Sequence, residues 1–142
     1  MQPILLDTLG IKTGTIRQKV LIDATPDEVY NALMSARIHS EFTGSKATIV
    51  PKVGGRVTAW GNYITARNLE LIKGKRIVQE WSTSEWPKDY PPSKLTITLK
   101  KSGGKTELTM VHSKVPMSQI KSYTGGWVES YWDPLKKYFE GK

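Results

Sequence analysis

Cysteine is absent from this 142-residue chain, which excludes disulfides, thiolate metal sites and cysteine nucleophiles. Histidine is scarce: His39 and His112 have no HExxH neighbour and no obvious third ligand, so no metal site can be read. Long apolar runs are missing too. The opening MQPILLDTLG has no basic leader and is interrupted by Asp7, so neither a signal peptide nor a membrane anchor is expected. With no cysteine, a reducing cytoplasm is the expected location. Carboxylates are outnumbered: 13 Asp and Glu against 21 Lys and Arg leave a net charge of +8. No basic run is longer than two and no basic recognition helix appears, so nucleic acid is not the expected partner. A generally positive surface suits an acidic partner, or is simply solvated.

Catalytic patterns are also lacking. Ser102-Gly103-Gly104-Lys105-Thr106 resembles the end of a phosphate-binding loop, but Leu99 stands where the upstream glycine belongs, and the segment joins two strands. It reads as a hairpin turn. No pair of carboxylates can be placed together from spacing alone. The expectation is therefore a protein with no catalytic residues, no metal and no cofactor.

What the chain does contain is a dense aromatic segment, GGWVESYWDPLKKYF, from Gly125 to Phe139. As a helix it aligns Trp127, Tyr131, Leu135 and Tyr138 on one stripe, with Val128, Trp132 and Phe139 on the stripe beside it. So broad an apolar face needs a wide concave surface to cover it. Pro134 falls inside the segment, where a kink is expected.

The rest of the chain supplies that surface. Thr15 to Asp23 alternates as a half-buried strand. Thr25-Pro26-Asp27-Glu28 forms a capping box that opens a helix, and Ser35 caps a second, ended by Thr43-Gly44. The period then becomes two. Strands are read over 47–50, 56–60, 63–72, 75–86, 94–101 and 105–113, separated by Gly-rich turns and by the proline-rich loop 87–92. Consecutive strands on short turns are antiparallel neighbours. The expected fold is α+β: one curved antiparallel sheet of about seven strands, in the order β-α-α-β6-α, wrapped around a long C-terminal helix. The whole chain reads as one domain, with residues 1–14 as an N-terminal extension.

This order resembles the helix-grip fold of the START-like (SRPBCC) superfamily. Within it, the chain resembles the C-terminal domain of the activator of the heat-shock protein 90 ATPase. The resemblance is carried by Ala24-Thr25-Pro26-Asp27-Glu28-Val29-Tyr30, Gly54-Gly55, Ile77-Val78-Gln79-Glu80-Trp81 with Trp86-Pro87, Lys105-Thr106-Glu107-Leu108, Val115-Pro116 and Gly126-Trp127. It implies a non-enzymatic, co-chaperone-like binding module in the stress response, with a heat-shock protein 90 type chaperone as partner. The alternative is a carrier or sensor of a small apolar ligand held between sheet and helix. For that cavity the candidates are Trp60, Trp81, Met110, His112, Trp127 and Tyr131. For a partner surface they are Lys73, Lys75 and Arg76, three cations near one turn, which otherwise merely solvate a hairpin.

Overall fold

In the computed structural model, residues 12–87 and 89–141 are described. Of the extension read over residues 1–14, residues 1–11 lie outside that range, while Thr13 and Gly14 already belong to strand β1, Thr13–Ile22. Helix α1, Pro26–Met34, begins where the capping box places it. Thr25 Oγ1 accepts the Glu28 N–H at 3.2 Å, and Glu28 Oε1 accepts the Thr25 N–H at 2.9 Å. Both bonds satisfy donors that a helix leaves open at its start. Ser35 caps α2, Ala36–Thr43, and Gly44 at φ 75° ends it in the left-handed conformation.

Six strands follow: β2 Thr48–Ile49, β3 Arg56–Ala59, β4 Ile64–Ile72, β5 Arg76–Thr83, β6 Ser93–Ser102 and β7 Lys105–Pro116. They pair antiparallel in the order β1-β7-β6-β5-β4-β3-β2. Sequence neighbours therefore remain neighbours, except that β1 closes against β7 at the far edge. Two extra residues bend the ladder. Leu69 is unmatched between Asn68 and Glu70 of β4, and in β7 Ser113 and Lys114 together oppose Thr15. Such bulges increase local twist. Two strands are shorter than their alternation implies. β5 stops at Thr83 because Trp86 turns back and buries its ring, and β2 keeps only two residues at the sheet edge.

The C-terminal helix is longer than the aromatic segment and is built in three parts. After a 3₁₀ turn over Met117–Gln119 come α3, Ile120–Trp127, a π turn over Val128–Trp132, and α4, Asp133–Glu140. The irregularity expected at Pro134 thus sits one turn earlier. Proline has no N–H to donate and its ring crowds the preceding turn; a widened turn accommodates it without breaking the helix. Within it the Asp133 N–H reaches back five residues to the Val128 carbonyl. Trp127, Tyr131, Trp132 and Leu135 are buried on the sheet side, but Val128 is exposed, so the second stripe does not begin where the helical period placed it.

The helix is clipped to the sheet by Gln18 on the inner side of β1. Its amide donates to the Thr124 carbonyl at 2.9 Å, and its Oε1 accepts the Trp132 indole N–H at 2.6 Å. The helix packs on β1, on His112 of β7 and on Trp81 of β5, and shares a cavity with Ile64 of β4, so the sheet must curve around it. This is the α+β helix-grip architecture. Thr25→Ala removes one half of the capping box and should lower stability by about 1 kcal/mol in urea unfolding; an unchanged midpoint would show that the box adds nothing.

Candidate ligand cavity and basic groove

The centre of the grip is a relay of buried hydrogen bonds. Trp127 Nε1–H donates to His112 Nδ1 at 3.2 Å. An indole can only donate, so Nδ1 is unprotonated and the ring proton sits on Nε2. Nε2–H then donates to Ser93 Oγ at 2.8 Å, and the Ser93 hydroxyl donates to the Trp81 carbonyl at 2.8 Å. Every member uses its hydrogen once. The relay has no place for a second imidazole proton, and burial holds the His112 pKa down at about 3. The rings pack as tightly as the polar atoms pair: the Trp81 centroid lies 4.5 Å from His112 and 5.9 Å from Trp127.

His39 on α2 makes a second, similar closure. Its Nδ1–H donates to the Leu33 carbonyl at 3.1 Å, so its Nε2 accepts from the Tyr131 hydroxyl at 2.9 Å. Burial lowers the His39 pKa and raises that of Tyr131. Both histidines are thus neutral struts joining helices to the fold.

Above these closures a cavity of about 400 Å³ lies between α3, the π turn and the β3–β4 end of the sheet. Trp60, Trp81, Trp127 and Tyr131, four of the sequence candidates, are in its walls. Met110 and His112 are fully buried and are not part of its lining. Behind it a void of about 40 Å³ reaches toward Gln79 and His39.

The sequence reading missed the outer wall, formed by Tyr63, Ser122, Tyr123, Gly126 and Ser130. Tyr123 is its hub. The hydroxyl donates to Glu85 Oε1 at 2.7 Å and accepts the Trp86 indole N–H at 2.9 Å, with the Thr83 hydroxyl 3.1 Å away. Tyr63 donates to the same Glu85 oxygen at 2.6 Å. Burial pushes the Tyr123 phenol above its ordinary range. Tyr123 precedes the Gly125-Gly126 pair from which the helix was read. Extending the 3.6-residue period back from Trp127 through Tyr123 would have found it.

The partner-surface candidates lie elsewhere. Lys73 and Lys75 are exposed on the β4–β5 turn, while Arg76 is half-buried with its Nε 3.2 Å from Glu70 Oε1. The turn docks under the first turn of α1. Gly74, at φ 71°, leaves room for Asp27, whose Oδ1 would lie 2.2 Å from any Cβ there. A surface groove of about 770 Å³ runs past this turn, and Lys100 and Lys101 from the end of β6 join the three cations along it. Only tertiary structure brings these last two into the cluster. Among the described residues, no three of His, Cys, Asp and Glu converge as a metal site, and no helix is long and apolar enough to cross a membrane.

Comparison with known proteins agrees with this geometry. The family model described as "Activator of Hsp90 ATPase homolog 1-like protein" matches residues 23–140. The human "Activator of 90 kDa heat shock protein ATPase homolog 1" is 26% identical over 133 residues, covering 92% of this chain and 39% of the relative. A Dictyostelium discoideum homologue is 27% identical over 128 residues, covering 89% of this chain and 33% of the relative. The chain therefore spans well under half the length of these curated relatives. Among solved structures, an HSP90 activator from Plasmodium falciparum superposes with a TM-score of 0.83 at 20% identity, covering 89% of this chain and 96% of that one. The Aha1 dimer from Colwellia psychrerythraea gives 0.71 at 15% identity, covering 86% and 96%. At such identities the superpositions establish the fold.

Two measurements check the relay. Trp127→Ala deletes a buried ring and the donor to His112, and should cost about 3–5 kcal/mol in urea melts; a loss below about 1 kcal/mol would mean the helix is not held here. Protonation is the second. Because His112 titrates near 3 when folded and near 6.5 when unfolded, its contribution is complete above pH 6.5 and drains away toward pH 3. His39, lowered in the same direction, adds to the trend. His112→Asn keeps an acceptor for the indole but cannot titrate. Between pH 7 and 4.5 wild type should lose on the order of 2 kcal/mol more than this variant. Parallel losses would show that His112 is not the titrating strut.

Proposed function

The chain belongs to the Activator of Hsp90 ATPase homolog 1-like protein family, and from that premise we propose that it is a non-enzymatic, co-chaperone-like binding module of the cytoplasm. Its partner is a heat-shock protein 90 type chaperone, met through an acidic surface. The observation that carries this reading is the groove where Lys73 and Lys75 of the β4–β5 turn, Arg76 at the start of β5, and Lys100 and Lys101 near the end of β6 converge. The +8 net charge supports it, since such a field speeds association with an acidic partner more than it strengthens the final complex. The non-enzymatic reading is supported by the two histidines, whose ring nitrogens are all engaged in structural hydrogen bonds.

The groove makes the test specific. Stimulation of a chaperone's ATP turnover should weaken steeply between low and moderate salt, because exposed charges are screened within about 10 Å at 0.1 M ionic strength. Charge reversal of Lys73, Lys75 and Arg76 together should abolish it. Reversing Lys100 and Lys101 should reproduce most of the loss. Stimulation that survives both sets of reversals would overturn the groove as the docking surface.

A further inference from the structure

Four of the five cations in the basic groove stand without a counter-charge. Arg76 is ion-paired with Glu70, but among the described residues no carboxylate lies within ion-pair distance of Lys73, Lys75, Lys100 or Lys101. Like charges gathered in this way repel one another, and an anionic partner relieves that repulsion. The backbone beneath them is fixed. The Lys75 N–H donates to the Ile72 carbonyl at 2.9 Å, which closes the turn, and the Lys75 carbonyl accepts the Leu99 N–H at 2.8 Å, which ties the turn to β6. Gly74 is buried against Asp27. The lysines therefore project from a surface that needs no backbone ordering to receive a partner.

The groove also has an apolar side. Ile72 is 43% exposed and lines it together with half-buried Pro26. Exposed ion pairs are individually weak and tolerate many registers. Burying Ile72 adds an apolar contact that the lysines cannot supply, and that contact fixes one register.

The arrangement distinguishes between kinds of anion. A compact phosphate is best held by free N–H groups at a helix start or by a guanidinium fork. Here the first turn of α1 is already occupied. Thr25 and Glu28 bond each other's N–H, Pro26 has none, and Asp27 and Glu28 already place negative charge at that end of the helix dipole. The groove's one guanidinium, Arg76, is engaged by Glu70. What remains is four lysines, flexible point charges that suit a row of separate carboxylates. A groove of about 770 Å³ has room for several residues of an extended chain.

We propose that the groove receives an extended acidic peptide segment carrying one apolar side chain. The apolar residue seats on Ile72 and Pro26, and the flanking carboxylates lie along Lys73, Lys75, Lys100 and Lys101. Asp27, on the α1 side of the groove, turns acidic residues away from that end. With the groove as docking surface, a reading on which this depends, the partner is narrowed from an acidic surface to a linear acidic segment.

Three probes test this on the whole chain: a labelled acidic peptide with a central leucine, the same peptide with serine there, and inorganic tripolyphosphate. The leucine peptide should bind at one site per chain, roughly fivefold more tightly than the serine peptide. Salt should weaken both peptides steeply and leave their ratio nearly unchanged. Ile72→Thr keeps β-branching in the strand, so it should melt close to wild type while losing the leucine preference. Charge reversal of Lys100 and Lys101 should weaken both peptides by about tenfold. Failure of the leucine peptide to bind, equal affinities for the two peptides, or a leucine preference that survives in Ile72→Thr would each overturn the inference. So would tripolyphosphate binding more tightly than either peptide, which would make the groove an oligophosphate site. Chaperone ATP turnover, measured alongside, separates this from the docking reading. If the leucine peptide binds as described and suppresses stimulation, both stand. If it binds as described and leaves stimulation unchanged, the segment belongs to another partner and only the chaperone reading falls. If the peptides are not distinguished but charge reversal abolishes stimulation, docking at the groove stands and the inference falls.

Discussion

The grip depends on a neutral imidazole. His112 accepts from a tryptophan of the helix and donates to a serine on the neighbouring strand, and that serine fastens to the carbonyl of Trp81. Buried polar groups are costly when unpaired and rigid when completely paired. The relay is complete only with one ring proton, on Nε2. Helix position, tryptophan packing and acid sensitivity therefore follow from a single protonation state. His39 repeats the device between α2 and Tyr131, so both ends of the aromatic layer are held by histidines that must remain uncharged.

A curved sheet closing on a straight helix cannot be filled evenly, and this fold concentrates the mismatch at one end. Toward β7 and β6 the interior is closed by Leu108, Met110, Val115 and Leu135, each with no exposed surface. Toward β3 and β4 the helix carries glycine and serine where it would otherwise carry bulk, and the space remains open. The π turn sits in the wall of that opening, with Ser130 and Tyr131 both among its lining residues. Pro134, which makes a regular helix unfavourable just beyond, thus helps to shape the cavity that the glycine leaves accessible.

The cavity and the basic groove lie at opposite ends of one strand. Ile64, at the start of β4, lines the cavity, and Ile72, at its end, lines the groove. Eight residue steps at about 3.3 Å each separate them by roughly 25 Å. That distance exceeds the reach of screened surface charge at physiological ionic strength. The cavity and the groove are therefore electrostatically independent of each other.

Local chemistry was enough to determine the capped start of α1, the antiparallel run of strands and the aromatic character of the gripped helix, while the order and spacing of short motifs carried the resemblance to the family. Thr25, Pro26 and Glu28 act within one turn, strand alternation is a two-residue property, and neither needs a distant partner. Four cavity-wall residues, Trp60, Trp81, Trp127 and Tyr131, were legible because large aromatics concentrate in the interior of such a fold. Tertiary structure decided the rest, because the deciding partners are far apart in sequence. His112 finds Ser93 nineteen residues away, Gln18 finds Thr124 at a separation of 106, and His39 finds Tyr131 at 92. Lys100 and Lys101 join Lys73 only because β6 ends beside the β4–β5 turn. The left-handed Trp60 and the empty space beside Gly126 belong to backbone geometry and to volume, and no periodicity of residue types encodes either.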